Sequence, residues 1–181
     1  MSKERPVVAV LVGSLRKESN NRKLARALAK IAGERAEFRY VRIDDLPLYN
    51  QDFDPDYPAV CLRLKDEIKS ADAVLFVTPE YNRSVPGVLK NAIDIASRPW
   101  GSNSFAGKPG AVIGTSAGAM STALAQQHLR NCCVFIDVFM MAQPEAFVRS
   151  SDDGSATIVD HLVTGRAMPT RSPYICASMG T

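Results

Sequence analysis

The chain has 181 residues, of which 46% are apolar and 23% are charged, and its formal net charge is +3. These values are typical of one soluble globular domain that is long enough to bury its own core. The small net charge, with basic and acidic residues mixed along the chain, excludes a strongly basic nucleic-acid-binding protein. No apolar run approaches the ~18 residues that a membrane-spanning helix needs.

The four cysteines indicate neither a zinc site nor a disulfide framework. They include no C-x-x-C pair and no accompanying pair of histidine ligands. Cys132 and Cys133 are adjacent in an apolar stretch, and we interpret them as small buried side chains. The segment from Met1 to Pro6 has no signal-peptide pattern. We therefore expect a cytoplasmic protein without a bound metal.

Strand and helix patterns alternate from the N-terminus onward. Apolar or alternating runs predict five strands, at Pro6–Val12, Phe38–Ile43, Ala73–Val77, Ala111–Gly114 and Val138–Ala142. Apolar residues three and four positions apart predict helices over residues 24–31, 62–68 and 88–96, and a fourth that ends near Ile136. Residues 134–140 taken alone also fit a strand. The alternation predicts an α/β fold with a mostly parallel sheet and helices on both faces.

Three loops follow strands of this sheet, where α/β proteins bind ligands. The first loop, Gly13–Asn21, holds hydroxyl, amide and guanidinium groups immediately before a helix. Ser14, Ser19 and Asn21 can donate hydrogen bonds and Arg16 can add a charge-assisted one, which favours a phosphate at the helix start. The loop matches neither G-x-x-x-x-G-K-[ST] nor G-x-G-x-x-G. The alternative is a polar loop in which Ser19 or Asn20 caps the helix.

The second loop, Pro79–Pro86, has a proline at each end, which restricts its backbone and predicts a rigid wall. Tyr81 offers a flat face to a planar ligand, and Asn82 offers donors and acceptors to the edge of a ring. In the alternative interpretation Glu80 is a solvated charge and Tyr81 is surface packing.

The third loop, Thr115–Met120, consists mostly of small residues and allows a ligand to approach the backbone closely. With Gly114 it also matches G-x-S-x-G, the nucleophile elbow of α/β hydrolases, and Asp137 and His161 follow Ser116 in triad order. The chain is short for such a hydrolase and contains no HGGG-like oxyanion segment, and a hydrolase would leave the first loop unexplained. A serine hydrolase is therefore kept as an alternative function.

Three ordered motifs carry a resemblance to a known family. They are GSLRKESNNRKLA at 13–25, PEYNRSVPGVLKNAID at 79–94 and GTSAGAMS at 114–121, with a weaker match over 127–145. The chain resembles the NAD(P)H-dependent FMN reductases, which include quinone, chromate and azo-dye reductases. The resemblance implies a flavodoxin-like three-layer sandwich, a five-stranded parallel sheet of order 2-1-3-4-5, one FMN per subunit, and a homodimer or homotetramer.

The resemblance also implies which residues bind the cofactor. The first loop would hold the FMN phosphate through Ser14, Arg16, Ser19, Asn20 and Asn21. The second loop would border the isoalloxazine ring with Pro79, Glu80, Tyr81, Asn82 and Ser84. The third loop would lie along the ring and the ribityl chain with Thr115, Ser116 and Gly118.

Two parts of the chain depart from the family pattern. Arg83 stands where the family often has an aromatic or small residue. The closing amphipathic helix of the family is not recognisable, because Pro169 and Pro173 interrupt a segment without a helical period. We therefore predict an FMN-binding domain over residues 1–160 and a C-terminal tail over residues 161–181, with no packed helix from about Gly165 onward.

The predicted function is electron transfer from NADPH or NADH through FMN to a quinone or another small acceptor, such as a chromate, azo or nitro compound or free flavin. The cofactor carries the bond chemistry in such enzymes, so no catalytic acid or base is assigned to the chain. A flavodoxin-type electron carrier is a second alternative, although flavodoxins are usually strongly acidic and this chain is slightly basic.

Overall fold

The computed structural model describes residues 5–150, in which strands and helices alternate. The strands are β1 (Val7–Val12), β2 (Glu37–Tyr40), β3 (Ala73–Val77), β4 (Pro109–Ser116), β5 (Phe139–Met140) and β6 (Phe147–Arg149). The helices are α1 (Asn20–Ala32), α2 (Ala59–Lys69), α3 (Gly87–Ser97) and α4 (Ala123–Phe135), with single 3-10 turns at Gly33–Arg35 and Gln51–Phe53.

The strands form one parallel sheet of order β2-β1-β3-β4-β5, which confirms the predicted flavodoxin-like topology. The central strands are buried on both faces, as a parallel sheet between helices requires. In β3, Phe76 joins the larger core cluster, whereas Leu75 and Val77 join a smaller cluster with Leu24 of α1. The alternating side chains of one strand therefore serve two separate apolar layers.

The predicted fifth strand, Val138–Ala142, is present as the short strand β5, and a further short strand, β6, follows on the same edge of β4. β5 pairs with Pro109 and Gly110, and β6 pairs with Gly114–Ser116 further along. Between them lies Pro144, which has no N–H group to give to a ladder. The sheet thus has six strands, of which β5 and β6 share one edge of β4. Strand β6 was not predicted from the sequence.

Strand β4 extends beyond the predicted Ala111–Gly114 at both ends. Two of its glycines, Gly110 and Gly114, are sites of close packing. A Cβ atom on Gly110 would lie 2.5 Å from a methyl carbon of Val138, and one on Gly114 would lie 2.0 Å from the carbonyl oxygen of Thr78. The longer strand includes Thr115 and Ser116, which the sequence placed in the third loop.

Helix α2 buries a polar residue that the periodicity did not predict. Lys65 is 7% exposed, whereas Leu62, expected on the buried face, is 47% exposed. The Lys65 ammonium donates hydrogen bonds to the carbonyl oxygens of Ala96, Arg98 and Ser102. Burial of Lys65 thus fastens α2 to the C-terminal end of α3.

Within residues 5–150, no helix is both long enough and apolar enough to cross a membrane. The predicted domain boundary at residue 160 and the predicted tail over 161–181 lie outside the described residues.

Candidate functional site

The three predicted loops meet at the carboxyl ends of β1, β3 and β4. The order β2-β1-β3 places a topological switch point between β1 and β3, where sheets of this type bind their ligands. A cavity of about 170 Å³ lies there. Its lining consists of Ser14, Arg16, Ser19, Asn20, Asn21, Pro79, Glu80, Tyr81, Thr115, Ser116, Ala117 and Ser150.

The cavity collects ten of the thirteen residues that the sequence assigned to the cofactor. Asn82, Ser84 and Gly118 belong to the same loops but are not part of its lining. Ala117 and Ser150 line the cavity and were not predicted. The Ser150 backbone N–H donates to the Ser116 carbonyl oxygen at 3.0 Å, directly after β6. Ser150 was missed because β6 was missed.

The first loop is buried at both ends and exposed in the middle. Ser19 is the N-cap of α1, and its hydroxyl oxygen accepts a hydrogen bond from the Arg22 backbone N–H at 3.2 Å. Ser14 and Ser19 are 4% and 2% exposed, whereas Arg16 is exposed at the rim. The first N–H groups of a helix have no partner within it, and the helix dipole favours an anion there. The loop therefore presents hydroxyls, N–H groups and the exposed guanidinium of Arg16 to the cavity.

Asn21 joins the first loop to the third. Its amide donates to the Thr115 carbonyl oxygen at 2.9 Å and accepts from the Thr115 backbone N–H at 3.0 Å. This pair of hydrogen bonds links the start of α1 to the end of β4 and is buried. Only one N–H of the Asn21 amide is left for a ligand, so this residue mainly fixes the width of the cavity.

Thr115 provides a test of whether the cavity fits a phosphate-bearing cofactor. Its side-chain hydroxyl is buried and has no hydrogen-bond partner within the described residues. A buried hydroxyl without a partner costs free energy, so its position in a ligand cavity points to a ligand that pairs with it. The hydroxyls of Ser14 and Ser19 and the start of α1 face the same space. This donor set fits the phosphate and ribityl oxygens of FMN.

The second loop is a tight two-residue turn. Tyr81 and Ser84 exchange backbone hydrogen bonds of 3.1 and 3.0 Å, and between them Asn82 and Arg83 have φ angles of 50° and 61°. Positive φ at both central residues is the geometry of a type I′ turn. Asn tolerates it, whereas for Arg83 it costs about 1 kcal/mol. The turn leaves Tyr81 49% exposed at the cavity mouth.

Two side chains tie the second loop to α4. One carboxylate oxygen of Glu80 accepts hydrogen bonds from the backbone N–H groups of Leu124 and Ala125, both at 3.0 Å. Thr122, the N-cap of α4, makes no side-chain cap bond, so Glu80 caps this helix from 44 residues away. The Ser84 hydroxyl lies 3.0 Å from Nδ1 of His128 on α4. Glu80 is thus neither a solvated charge nor free to face a ring.

The geometry does not support the serine hydrolase alternative. Ser116 is the last residue of β4 and pairs with Arg149, and its φ is not positive, so it does not sit on the sharp turn of a nucleophile elbow. The Asp137 carbonyl accepts a hydrogen bond from the Gly107 N–H beyond the opposite end of β4. That places Asp137 roughly 20 Å from Ser116. His161 lies outside the described residues.

The buried thiols do not contribute to this site. Cys61 and Cys133 are fully buried and Cys132 is half-buried, and the pKa of the Cys133 thiol is raised to about 12 by burial and by the neighbouring Cys132. Cys133 is therefore protonated at neutral pH, as expected for a packing residue.

Comparison with known proteins agrees with this geometry. A model of the NADPH-dependent FMN reductase family matches residues 6–153. The chain is 54% identical over 171 residues to a quinone reductase of Pseudomonas putida, covering 94% of this chain and 89% of the relative. It is 53% identical over 155 residues to a 2-hydroxy-1,4-benzoquinone reductase of a Burkholderia species, covering 84% and 85% of the two chains.

A solved structure supports the same assignment. The flavoenzyme NAD(P)H:(acceptor) oxidoreductase of Paracoccus denitrificans superposes with a TM-score of 0.78 at 53% identity, covering 82% of this chain and 81% of the other. The family model and these relatives each cover more than four fifths of the chain. The chain belongs to the NADPH-dependent FMN reductase family.

Proposed function

We propose that the cavity at the ends of β1, β3 and β4 holds the FMN of a quinone reductase. The observation that carries this proposal is the lining of the cavity, which brings Ser14, Ser19 and the start of α1 beside Thr115, whose buried hydroxyl lacks a partner in the described structure. The start of α1 would hold the FMN phosphate, and the second and third loops would hold the isoalloxazine ring.

Each loop has its own task in this arrangement. The phosphate is bound by Ser14, Arg16, Ser19 and Asn20, with Asn21 as the residue that holds the two walls together. Tyr81, Asn82 and the backbone around Pro79 border the ring, and Glu80 and Ser84 keep that border in place through α4. Thr115, Ser116 and Gly118 lie along the ring and the ribityl chain.

The chain supplies binding and orientation in this reaction. When bound, FMN provides the redox chemistry, by which electrons pass from NAD(P)H to the acceptor. The exposed Tyr81 ring leaves one side of the cavity open to the donor and then to the acceptor. Two relatives at 53–54% identity are named as quinone reductases, which favours quinones as the acceptors. The cytoplasmic location and the homodimer or homotetramer stay predictions.

The absorbance spectrum of the purified protein tests the proposal. We expect a flavin spectrum, release of FMN and no FAD on denaturation, and bleaching by NAD(P)H that a quinone reverses. Protein that takes up no flavin, or that binds FAD as tightly as FMN, would contradict it. A flavodoxin-type carrier would bind FMN but would not oxidise NAD(P)H, so the same sample separates the two functions.

A further inference from the structure

A second, larger cavity lies beside the flavin cavity, on the β2 side of the first loop. Its volume is about 480 Å³, and it lies between α1 and the exposed edge of the sheet. Arg22 and Arg26, one helical turn apart on α1, line it together with Tyr40 and Arg42. Ser14 lines both cavities, so the two spaces adjoin at the first loop.

The charge of this second cavity is unbalanced. Arg42 forms ion pairs with Asp44 at 2.8 Å and with Asp45 at 3.5 Å. Arg22 and Arg26 form no ion pair with any residue in the described part of the chain. The Asp44 carboxyl has its pKa lowered mainly by its hydrogen bond to Arg42 and to a smaller extent by the charge of Arg22. The lining thus contains three guanidinium groups and one carboxylate. Two neighbouring guanidinium groups favour a multiply charged anion, above all a phosphate.

The walls of the second cavity suit a planar group. Val10, Val12 and Ile43 form an apolar wall, and the Tyr40 ring is 44% exposed at the edge. Burial raises the pKa of the Tyr40 hydroxyl and the positive charge of Arg26 lowers it, so Arg26 lies near this ring. An aromatic face beside two arginines is a chemistry that recognises a phosphorylated nucleoside.

We infer that this second cavity binds the adenosine end of NADPH, with the 2′-phosphate between Arg22 and Arg26. The inference rests on the proposed function, since it concerns the electron donor of the same reaction. A phosphomonoester carries a charge of about −1.5 to −2 at pH 7, whereas NADH has a neutral hydroxyl at that position. The pair of arginines therefore makes the enzyme prefer NADPH.

Coenzyme kinetics of an Arg22→Ala/Arg26→Ala variant test the inference. We expect KM for NADPH to rise by about tenfold or more, because charge-assisted hydrogen bonds are lost, and KM for NADH to change less than about twofold. Lys23→Ala is the matched control: it removes a positive charge from the same helix, at an exposed residue that lines neither cavity. Both KM values of that control should stay near wild type. Arg26→Gln, at an exposed position, is the second variant if the double variant is unstable.

Direct binding provides a readout that does not depend on turnover. Calorimetry with the FMN-loaded protein should show that adenosine 2′,5′-bisphosphate binds more tightly than 5′-AMP, and that Arg26→Gln abolishes the difference. Equal binding of the two nucleotides, or an unchanged NADPH preference in the double variant, would overturn the inference. If the protein still contains FMN and NADH still bleaches the flavin absorbance, either of these two outcomes would leave the proposed function intact. Absence of flavin would instead contradict the proposed function.

Discussion

The first and second loops border the same cavity but are held in place in different ways. In the first loop the ends are buried, and residues 15–18 between them are exposed. The second loop is a closed turn in which two side chains, Glu80 and Ser84, are bonded to α4. In the first loop the side chains of Ser14 and Arg16 have no partner among the described residues, whereas in the second loop the Glu80 carboxylate is bonded to α4 and fixes the position of the loop.

This difference indicates a division of tasks between the two walls of the cavity. A phosphate is bound by charge and by donors that can adjust to it, so the first loop gains from free side chains. A planar ring is positioned by shape, so the second loop gains from a backbone that is set before the ligand arrives. Substitutions of the exposed residues 15–18 of the first loop should therefore change affinity for the ligand, whereas substitutions of the side chains that fix the two walls, Asn21 and Glu80, should change stability.

The largest expected effect comes from Gly114, which packs against Thr78, the residue before the second loop. In Gly114→Ala the new Cβ would lie 2.0 Å from the Thr78 carbonyl oxygen and 2.7 Å from the Thr122 hydroxyl. We expect a loss of about 3 kcal/mol or more in the free energy of unfolding, measured in urea, because backbone must move. Gly87→Ala, where a Cβ meets nothing within 4 Å, is the control and should stay within about 0.5 kcal/mol of wild type. Similar stabilities of the two variants would show that β3 and β4 can separate here at little cost.

Removing the link between the first and third loops should have the next largest effect. Asn21→Ala leaves the buried N–H and C=O groups of Thr115 without partners. We expect about 2–4 kcal/mol of destabilisation in urea unfolding. Asn21→Asp keeps the acceptor but sets a carboxylate oxygen against the Thr115 carbonyl oxygen at a buried position, so its cost should be at least as large as that of Asn21→Ala. If both variants unfold like wild type, then Asn21 serves the ligand and not the walls.

Arg16 tests the free side chains of the first loop. Its exposed guanidinium makes no hydrogen bond or ion pair within residues 5–150, so Arg16→Ala should leave the free energy of unfolding unchanged. FMN affinity, measured by titration of the apoprotein, should fall by about 1.5–3 kcal/mol, as for a charge-assisted hydrogen bond. Lys17→Ala, in the same exposed stretch but outside the cavity lining, should change the affinity by less than about 0.5 kcal/mol. Equal losses in both variants would mean that the loop acts only through its net charge.

Substitution of Glu80 should have the smallest effect, a decrease in the free energy of unfolding. Glu80→Ala removes the cap of α4 and should cost about 1 kcal/mol, with faster hydrogen exchange at the Leu124 and Ala125 amides. Glu80→Gln keeps an acceptor oxygen and should lose less. Unchanged exchange at those two amides in Glu80→Ala would show that the second loop is held without α4.

The sequence by itself determined the elements and loops whose signals are local. Apolar runs identified β1 and β3, and a row of donors before a helix identified the first loop. The strand order and the ring-side residues came from the resemblance to a family, because periodicity does not tell which strands are neighbours. Ten of the proposed site residues line one cavity because parallel strands bring their carboxyl ends to the same edge.

Only the tertiary structure decided what each side chain pairs with. Asn21 forms hydrogen bonds with Thr115, 94 residues later, and Glu80 accepts one from Leu124 of α4, 44 residues later. Neither pairing can be recognised from a periodic pattern in the sequence. Strand β6 was missed because three residues carry too little pattern, and its place depends on the free edge of β4. The charged second cavity depends on the spacing between α1 and β2. Such pairings are set by the packing of layers, which local propensity does not encode.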